Sequence, residues 1–326
     1  MGYQRCLAQF KAIDLNEMRP SGFLAKVTQS CEEKDSKVDK KHGWKDVDNC
    51  PVCFATARRQ EFFKFGTEVV CCKKCSLRYA AKIPVSTEDI YSDEGYLPTA
   101  IESYMKNVFY RKERFGKERV ELISQQIGSP RGKRLLDIGC GTGWFLEVAK
   151  ECEFDVYGQE LGKGLANWTS ERLGIRIFNK SISGLSTEIK FDVITMFDLL
   201  EHVSDPLQLI LNCKNLLNKD GIIVVFTPNF DSLSIHIMRE HSNIIAPAEH
   251  LTYFTKKSAE VLAQKTNLNL TYYRTCGIDL GDLKSYHEWL GNQQLAFACE
   301  RLYNSLQPLI DDSDAGNHLR FVLKKE

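Results

Sequence analysis

The feature that most limits the fold of this chain is a regular alternation of short apolar strands and helices that begins near residue 133. Strands are predicted over 134–139 and 154–160, and a helix is predicted over 143–151 between them. Consecutive strands joined by helices form a parallel sheet covered by helices on both faces. The further predicted elements are helices over 162–173, 205–217, 257–266 and 282–308, and strands over 175–178, 191–197, 221–227, 270–274 and 318–324. The core is therefore predicted to be an α/β domain.

Composition narrows the class of protein further. The chain has 326 residues, with 43 Lys and Arg against 43 Asp and Glu, so its formal net charge is zero. A neutral total argues against a protein that wraps long nucleic acid, although it stays compatible with a local basic patch. No apolar run reaches the roughly 20 residues that a bilayer span needs, and residues 1–20 lack the pattern of a signal sequence. We therefore expect a cytoplasmic protein with one or two domains.

Two pairs of cysteines stand out among the twelve in the chain. Cys50 and Cys53 form one Cys-x-x-Cys pair, Cys72 and Cys75 form the second, and eighteen residues separate them. Two such pairs can give four thiolates to a tetrahedral zinc ion, which folds a unit too small to have its own core. The spacing and the short apolar stretches between the pairs predict a zinc ribbon over residues 46–84.

Alternatives for the cysteines stay open at this point. Cys71 could replace Cys72 as a ligand, although the spacing to Cys75 favours Cys72. A redox pair and four unrelated buried thiols both fit the doubled spacing less well. Four other cysteines fall in predicted helices, strands or their ends and are expected to be packing residues. These are Cys152, Cys213, Cys276 and Cys299.

The rest of the chain divides into three parts. Residues 1–45 are polar and weakly patterned, and their charged run over 32–41 is expected to be a solvated linker. Residues 85–130 are expected to form a helical lid or linker, and residues 131–326 hold the α/β domain. The ribbon has more Lys and Arg than Asp and Glu, which suits a solvated face, an anionic substrate or RNA.

A glycine-rich turn follows the first strand of the α/β domain. It consists of Asp137, Gly139, Gly141 and Gly143. Glycines allow a sharp turn and let a ligand approach backbone N–H groups. A dinucleotide-binding turn would have its third glycine where Trp144 stands, which disfavours a hydride-transfer enzyme. Glu160 ends the second strand, 21 residues after Gly139, where a carboxylate can accept hydrogen bonds from both hydroxyls of a ribose.

This turn resembles motif I of the class I S-adenosylmethionine (SAM) methyltransferases, and the resemblance covers about residues 115–326. The passages 191–206 and 216–229 are similar to the fourth strand of that family and to its approach to strand five. The resemblance implies a seven-stranded Rossmann-like sheet with an antiparallel last strand. It also implies that Asp137 helps to hold the amino group of SAM, while Ser181 departs from the carboxylate common at the adenine position. The residues implied to contact SAM are Asp137, Gly139, Cys140, Gly141, Gly143, Glu160, Ser181, Ile182, Phe197 and Asp198.

The loop after the fourth strand is expected to carry the catalytic residues. Asp198, Glu201 and His202 lie at i, i+3 and i+4, so a helical turn would place them on one face. His202 is expected to lie near the acceptor hydroxyl and to act as a general base. The segment also resembles the metal-binding segment of ubiquinone-pathway O-methyltransferases and small-RNA 2′-O-methyltransferases, which implies a second, divalent ion at Asp198, Glu201, His202 and His250. In methyltransferases that use no metal, the histidine instead packs or hydrogen-bonds beside the substrate.

The sequence as a whole resembles a SAM-dependent methyltransferase with an N-terminal zinc ribbon. Its parts resemble a bacterial-type group tied to sugar and polysaccharide modification, so O-methylation of a small-molecule or glycan-like acceptor is expected. Residues 88–112 and 230–254 would cover the acceptor. One alternative is an RNA or tRNA methyltransferase whose basic ribbon grips nucleic acid. Another is a catalytically silent protein that binds SAM.

Overall fold

The computed structural model describes residues 11–41, 43–85, 93–185 and 188–326. The N-terminal part consists of two helices and a set of short strands. In chain order these are α1 (Leu15–Met18), α2 (Phe23–Lys41), β1 (Trp44–Asp46), β2 (Arg58–Lys64), β3 (Thr67–Cys72), β4 (Arg78–Ala80) and β5 (Lys82–Pro84). Strand β1 pairs with β5, and β2, β3 and β4 form an antiparallel meander. The residues of the expected zinc ribbon therefore form short β-strands.

The charged run that we expected to be a linker lies in helix α2. Cys31, Asp35 and Val38 are buried, at the spacing of one helix face. Lys34 Nζ lies 2.6 Å from Glu249 Oε2 in the α/β domain. The run contains neither Gly nor Pro and is rich in Lys and Glu, which form helices readily, so packing of one face is enough to fold it.

Residues 93–127 of the expected lid or linker are helical throughout. They consist of α3 (Asp93–Arg111), a π-helical turn (Lys112–Gly116) and α4 (Lys117–Ile127). Residues 88–92 of the predicted cover lie outside the described residues. The π-helical turn brings Gly116 against Val148, where a Cβ would lie 2.7 Å from the Val148 side chain. No helix in the described ranges combines the length and the apolar character that a bilayer crossing requires.

The α/β domain follows in the predicted order. Its elements are β6 (Arg134–Ile138), α5 (Trp144–Glu151), β7 (Asp155–Gln159), α6 (Lys163–Leu173), β8 (Ile177–Phe178), β9 (Phe191–Phe197), α7 (Pro206–Leu216), β10 (Leu217–Pro228), α8 (Leu233–Met238), β11 (Thr252–Tyr253), α9 (Lys256–Thr266), β12 (Asn269–Cys276), α10 (Asp279–Trp289), α11 (Gln293–Asp312) and β13 (His318–Lys324). The single helix expected over 282–308 is two helices, since Gly291 adopts a left-handed conformation (φ 76°) and Asn292 caps α11.

Seven strands form the central sheet, in the order β12-β13-β10-β9-β6-β7-β8. Strands β6 to β10 run parallel, and β13 is antiparallel to both β10 and β12. This arrangement confirms the predicted Rossmann-like sheet with an antiparallel last strand. The carboxyl ends of β6, β9, β10 and β12 therefore meet the start of β13 at one edge of the sheet.

Both faces of the sheet are buried, which explains why its central strands read as continuous apolar runs. In β10, Ile223 and Val225 belong to the core on one face, while Ile222 and Val224 belong to the core on the other. All four side chains are at most 1% exposed. Burial of each such side chain contributes about 1.5–3 kcal/mol, so these strands form a firm base for the residues at their ends.

The ribbon and the α/β domain share a sheet. Strand β11 pairs antiparallel with β4, with Thr252 opposite Tyr79, and completes a four-stranded sheet of order β11-β4-β3-β2. The Ala80 backbone N–H also donates to the Leu251 carbonyl at 3.0 Å. The ribbon is therefore joined by backbone hydrogen bonds to the segment that follows His250.

Candidate active site and metal centre

The glycine turn lies at the carboxyl end of β6. The buried Asp137 carboxylate accepts a 2.6 Å hydrogen bond from Thr195 Oγ1 of the neighbouring strand β9. Burial raises the pKa of Asp137 to about 7. A cationic group bound next to this carboxylate would restore its charged form.

The three glycines of the turn have different surroundings. All three have positive φ, between 52° and 71°. A Cβ on Gly143 would lie 2.7 Å from both Leu173 and Thr169, and one on Gly139 would lie 2.9 Å from Leu199. A Cβ on Gly141 would meet no atom within 4 Å. Gly143 is therefore required by packing, whereas Gly141 borders open space.

A cavity of about 710 Å³ opens above the turn, at the edge where the strand ends meet. Its walls include many residues that the sequence predicted for the site. These are Asp137, Gly139, Cys140, Gly141, Phe197, Asp198, Glu201, His202 and His250. The volume lies in the range of about 300–1,000 Å³ typical of small-molecule sites. Helix α3 and the segment after α8 each contribute to its cover, through Tyr104 and Ile244.

Four predicted SAM contacts lie outside the wall of this cavity. They are Gly143, Glu160, Ser181 and Ile182. The Glu160 carboxylate accepts hydrogen bonds from the backbone N–H groups of Gly141, at 3.1 Å, and Gly162, at 2.9 Å. Glu160 thus contacts the backbone of the glycine turn but does not line the cavity. Ser181 caps the short helical turn that contains Ile182, and its Oγ accepts from the Gly184 N–H.

Asp198 directly follows β9 and lines the cavity. Its backbone is left-handed, with φ 56°, which is an uncommon conformation for a residue other than glycine. His318 Nε2 lies 2.7 Å from Asp198 Oδ1, and Arg119 lies 3.9 Å from Oδ2. These two basic groups hold the pKa of the Asp198 carboxyl well below its usual range. Asp198 is therefore an anion in the wall of the cavity.

Arg119 is a buried cation that the sequence analysis missed. Its guanidinium lies over the rings of Trp144, Phe197 and Phe226, at 4.7, 4.0 and 5.4 Å from their centroids. It donates no hydrogen bond to any residue in the described ranges, and burial lowers its pKa to about 10. The aromatic rings hold the charge at the cavity wall with its N–H groups available to a ligand.

Glu201, His202 and His250 form a second polar cluster in the cavity. Their ligand atoms all lie within 4.8 Å of one another. The two rings meet edge to face at 4.7 Å. His202 Nδ1 lies 3.0 Å from the Glu249 carbonyl, and His250 Nδ1 lies 2.7 Å from the Ile244 carbonyl. Each ring that donates from Nδ1 carries its lone pair on Nε2, which is the arrangement that metal-binding histidines adopt.

Burial sets the charges in this cluster. It lowers the pKa of His202 to about 3 and also lowers that of His250, so both imidazoles are neutral near pH 7. Burial and the nearby Asp198 charge raise the pKa of Glu201 to about 8, and its Oε2 accepts from Thr227 Oγ1 at 2.8 Å. Two neutral imidazoles and a carboxyl group suit a divalent ion. Asp198 is not in this cluster, so the ligand set expected from the sequence is only partly assembled.

The ribbon cysteines form a separate centre. The buried Sγ atoms of Cys50, Cys53, Cys72 and Cys75 all lie within 4.8 Å of one another. Cys50 and Cys75 are 3.4 Å apart, and Cys53 and Cys72 are 3.5 Å apart. Four thiolates at about 2.3 Å from a tetrahedral zinc ion would be about 3.8 Å apart, so the group fits zinc. Cys71 lies outside the group, which decides between the two candidate ligands.

The cluster of Glu201, His202 and His250 is also linked to the ribbon, through backbone contacts. The Leu251 N–H donates to the Glu201 carbonyl at 2.7 Å, and Thr252 Oγ1 lies 3.3 Å from the Leu200 carbonyl. Leu251 and Thr252 link His250 to β11 and hence to β4 of the ribbon. The position of His250 therefore depends on contacts from both parts of the molecule.

The sheet carries a glycine-rich turn and a cavity at the carboxyl ends of its parallel strands. In α/β proteins this is the position of a nucleotide-binding site. A family model described as a methyltransferase domain matches residues 109–273, which is half of the chain. The chain belongs to this family and is a SAM-dependent methyltransferase.

Curated relatives carry the name ubiquinone biosynthesis O-methyltransferase. The relative from Actinobacillus pleuropneumoniae serotype 7 is 27% identical over 189 residues, which cover 52% of this chain and 75% of the relative. The relative from Coxiella burnetii (strain Dugway 5J108-111) is 33% identical over 117 residues, which cover 34% of this chain and 50% of the relative. Among solved structures, Haemonchus contortus phosphoethanolamine N-methyltransferase 2 in complex with S-adenosyl-L-methionine has a TM-score of 0.49 at 18% identity, over 76% of this chain and 62% of that one.

Proposed function

We propose that the chain transfers the methyl group of SAM to a hydroxyl oxygen of a small-molecule or glycan-like acceptor. The observation that carries this proposal is one cavity that joins the glycine turn to Asp198, Glu201, His202 and His250. The name of the curated relatives supports oxygen as the methylated atom. When bound, SAM supplies an electrophilic methyl group on a sulfonium centre.

The glycine-turn end of the cavity fits SAM. Asp137 offers a carboxylate to the amino group, and Arg119 offers a guanidinium fork with unused N–H groups to the carboxylate of the methionine part. Gly139, Cys140 and Gly141 would lie along the methionine and ribose, and Phe197 would flank the cofactor. The aromatic rings beneath Arg119 fix its orientation. Little side-chain conformational entropy is therefore lost when the ligand binds.

The ribose and adenine contacts remain those expected from the sequence. A carboxylate has about four acceptor positions, so Glu160 can accept from ribose hydroxyls in addition to the Gly141 and Gly162 N–H groups. Ser181 and Ile182 would border the adenine beyond the end of β8. Gly143 would contribute through the packing of the turn, because its Cβ position is filled by Leu173 and Thr169.

His202 would lie beside the acceptor hydroxyl. Its neutral imidazole can accept the hydroxyl hydrogen at Nε2, since Nδ1 is directed at the Glu249 carbonyl. Its low pKa makes it a weak base in the ligand-free protein. The ionised Asp198 carboxylate favours a protonated His202, so it would stabilise the imidazolium as the proton is transferred.

Both candidate metal sites enter the proposal. Cys50, Cys53, Cys72 and Cys75 would hold a structural zinc ion that stabilises the ribbon. Glu201, His202 and His250 would hold a divalent ion, which would lower the pKa of a hydroxyl bound to it. In that case His202 would serve as a ligand, and activity would depend on added divalent metal after removal of the bound ion.

The test combines binding with transfer. Affinity for S-adenosylhomocysteine (SAH) is measured by calorimetry, and labelled methyl transfer from SAM is measured into hydroxylated acceptors such as caffeate and glucose conjugates. The variant His202→Ala should keep SAH affinity within about threefold and lose about 10²-fold or more in transfer. His236→Ala is the matched control, because His236 Nδ1 also lies 2.9 Å from a backbone carbonyl, that of Ser232, but its ring lies off the cavity. Full turnover by His202→Ala would refute its assignment.

A further inference from the structure

The far end of the cavity, opposite the glycine turn, has a floor made by the antiparallel strands. Across β10, β13 and β12, Phe226 is paired with Arg320, and Arg320 is paired with Arg274. Residues directly opposite each other on antiparallel strands point to the same face, and all three line the cavity. The floor therefore carries two guanidinium groups side by side.

This pair of arginines has too few anionic partners. Like charges directly opposite each other on a sheet destabilise it unless a counter-charge lies between them. Arg320 pairs with Glu118, which also holds Arg114 at 2.5 Å. The two arginines lower the pKa of Glu118 to about 2, so this single carboxylate already serves two cations. The Arg320 Nε is buried and has no hydrogen-bond partner among the described residues.

The Arg274 side chain has no hydrogen bond or ion pair with any residue that the structure describes, and the same holds for the side chain of Arg111, which lines the cavity from the end of α3. The other acidic group at this end is Asp311, which is 4% exposed and accepts a hydrogen bond from Gln307. Burial raises the pKa of Asp311 to about 7, so near neutral pH it offsets only part of the positive charge. The far end is therefore cationic, and the donors of Arg274 have no partner among the described residues.

We propose that Arg274, beside Arg320, binds an anionic oxygen group of the methyl acceptor, either a carboxylate or a phosphate. This assignment rests on the proposed function and specifies its substrate class as hydroxylated anions. An arginine fork matches the geometry of both oxygen groups.

The sheet also sets the length of the acceptor. Arg274 lies on β12, three strands from β9, which carries Asp198 at its end. Three strand spacings amount to about 14 Å, and the extended arginine side chain covers about half of that distance. The acceptor thus holds its anionic group several bonds away from the hydroxyl that is methylated, as in a hydroxycinnamate or a sugar joined to a phosphate.

The test uses two pairs of probes, and in each pair only one member carries an anionic group. Dissociation constants for caffeate and for its neutral methyl ester are measured with the SAH-loaded protein at 150 mM salt. In the wild type, caffeate should bind at least about 10-fold more tightly than the ester, since a hydrogen-bonded charge pair contributes at least this much. Glucose 1-phosphate against glucose forms the second arm, and the arm that shows the advantage identifies the anion as carboxylate or phosphate.

Arg274→Gln should remove the advantage of the anionic probe, and Arg274→Lys should keep part of it. Arg301→Gln on the exposed outer face of α11 is the control and should leave the advantage intact. SAH affinity should change less than twofold in all variants, which shows that they fold. Absence of Arg274-dependent binding in both arms would overturn the proposal. A failure of the proposed function would appear separately, as lost SAH binding or as methylation of nitrogen acceptors.

Discussion

The three glycines Gly141, Gly143 and Gly174 offer a way to separate packing from ligand binding in the turn. All three have positive φ, at 52°, 71° and 60°. Replacement by alanine should cost each of them about 1–2 kcal/mol of backbone strain, partly offset by the smaller entropy of the unfolded chain. Gly174 ends α6, away from the cavity, so Gly174→Ala measures this strain alone.

Gly143→Ala adds a steric penalty to that strain. Its Cβ would lie 2.7 Å from both Leu173 and Thr169, and overpacking of this kind costs about 1–3 kcal/mol. We therefore expect a loss of about 2–5 kcal/mol in the free energy of unfolding. Gly141→Ala should lose only about as much as Gly174→Ala, because nothing lies within 4 Å of its Cβ, but that Cβ enters the cavity and should weaken SAH binding at least about 10-fold.

The assay is urea denaturation paired with calorimetric titration of SAH, under the same buffer for the wild type and the three variants. Gly174→Ala should keep wild-type affinity for SAH. Two results would refute the reasoning. One is wild-type SAH affinity in Gly141→Ala, and the other is lost SAH binding in Gly143→Ala without any loss of stability.

Three further outcomes are expected. Because the pKa of Asp137 is raised to about 7 in the ligand-free protein, SAH affinity should fall about 10-fold per pH unit below 7 and stay flat above it, and Asp137→Asn should abolish this dependence in calorimetric titrations. Arg119→Gln should raise the dissociation constant of SAH by about 10-fold or more, whereas unchanged affinity would remove Arg119 from the binding site. Elemental analysis of reduced protein should find about one zinc per chain, and Cys72→Ser should lower both the zinc content and the thermal midpoint; a zinc-free wild type would contradict the ribbon assignment.

The central sheet could be read from the sequence because its strands are buried on both faces. Short apolar runs such as 191–197 predict both a β-strand and its burial in the core, and glycines mark the turns between elements. Helix α2 could not be read in the same way. Its buried face includes Asp35 among charged neighbours, so its pattern has weak hydrophobic contrast, and packing against the α/β domain decides its structure.

The grouping of Asp198, Glu201 and His202 at one cavity was also predictable, because they lie close together in the sequence. Arg119 and His318 escaped notice because neither belongs to a motif. Arg119 reaches the site from α4, and His318 reaches Asp198 only because β13 runs antiparallel and begins at the edge where β9 ends. The resemblance implied an antiparallel last strand, so the signal for His318 was its position at the start of that strand.

The pairing of β11 with β4 bears on how the molecule can be divided. A boundary between residues 84 and 93 separates two stretches of sequence, but strand β11 from the later stretch completes the sheet of the earlier one. A fragment that begins after this boundary would leave the backbone groups of β11 without partners, at an open edge that invites pairing between chains. Swapping the ribbon between related enzymes would therefore require moving β11, and the histidine that precedes it, along with the cysteines.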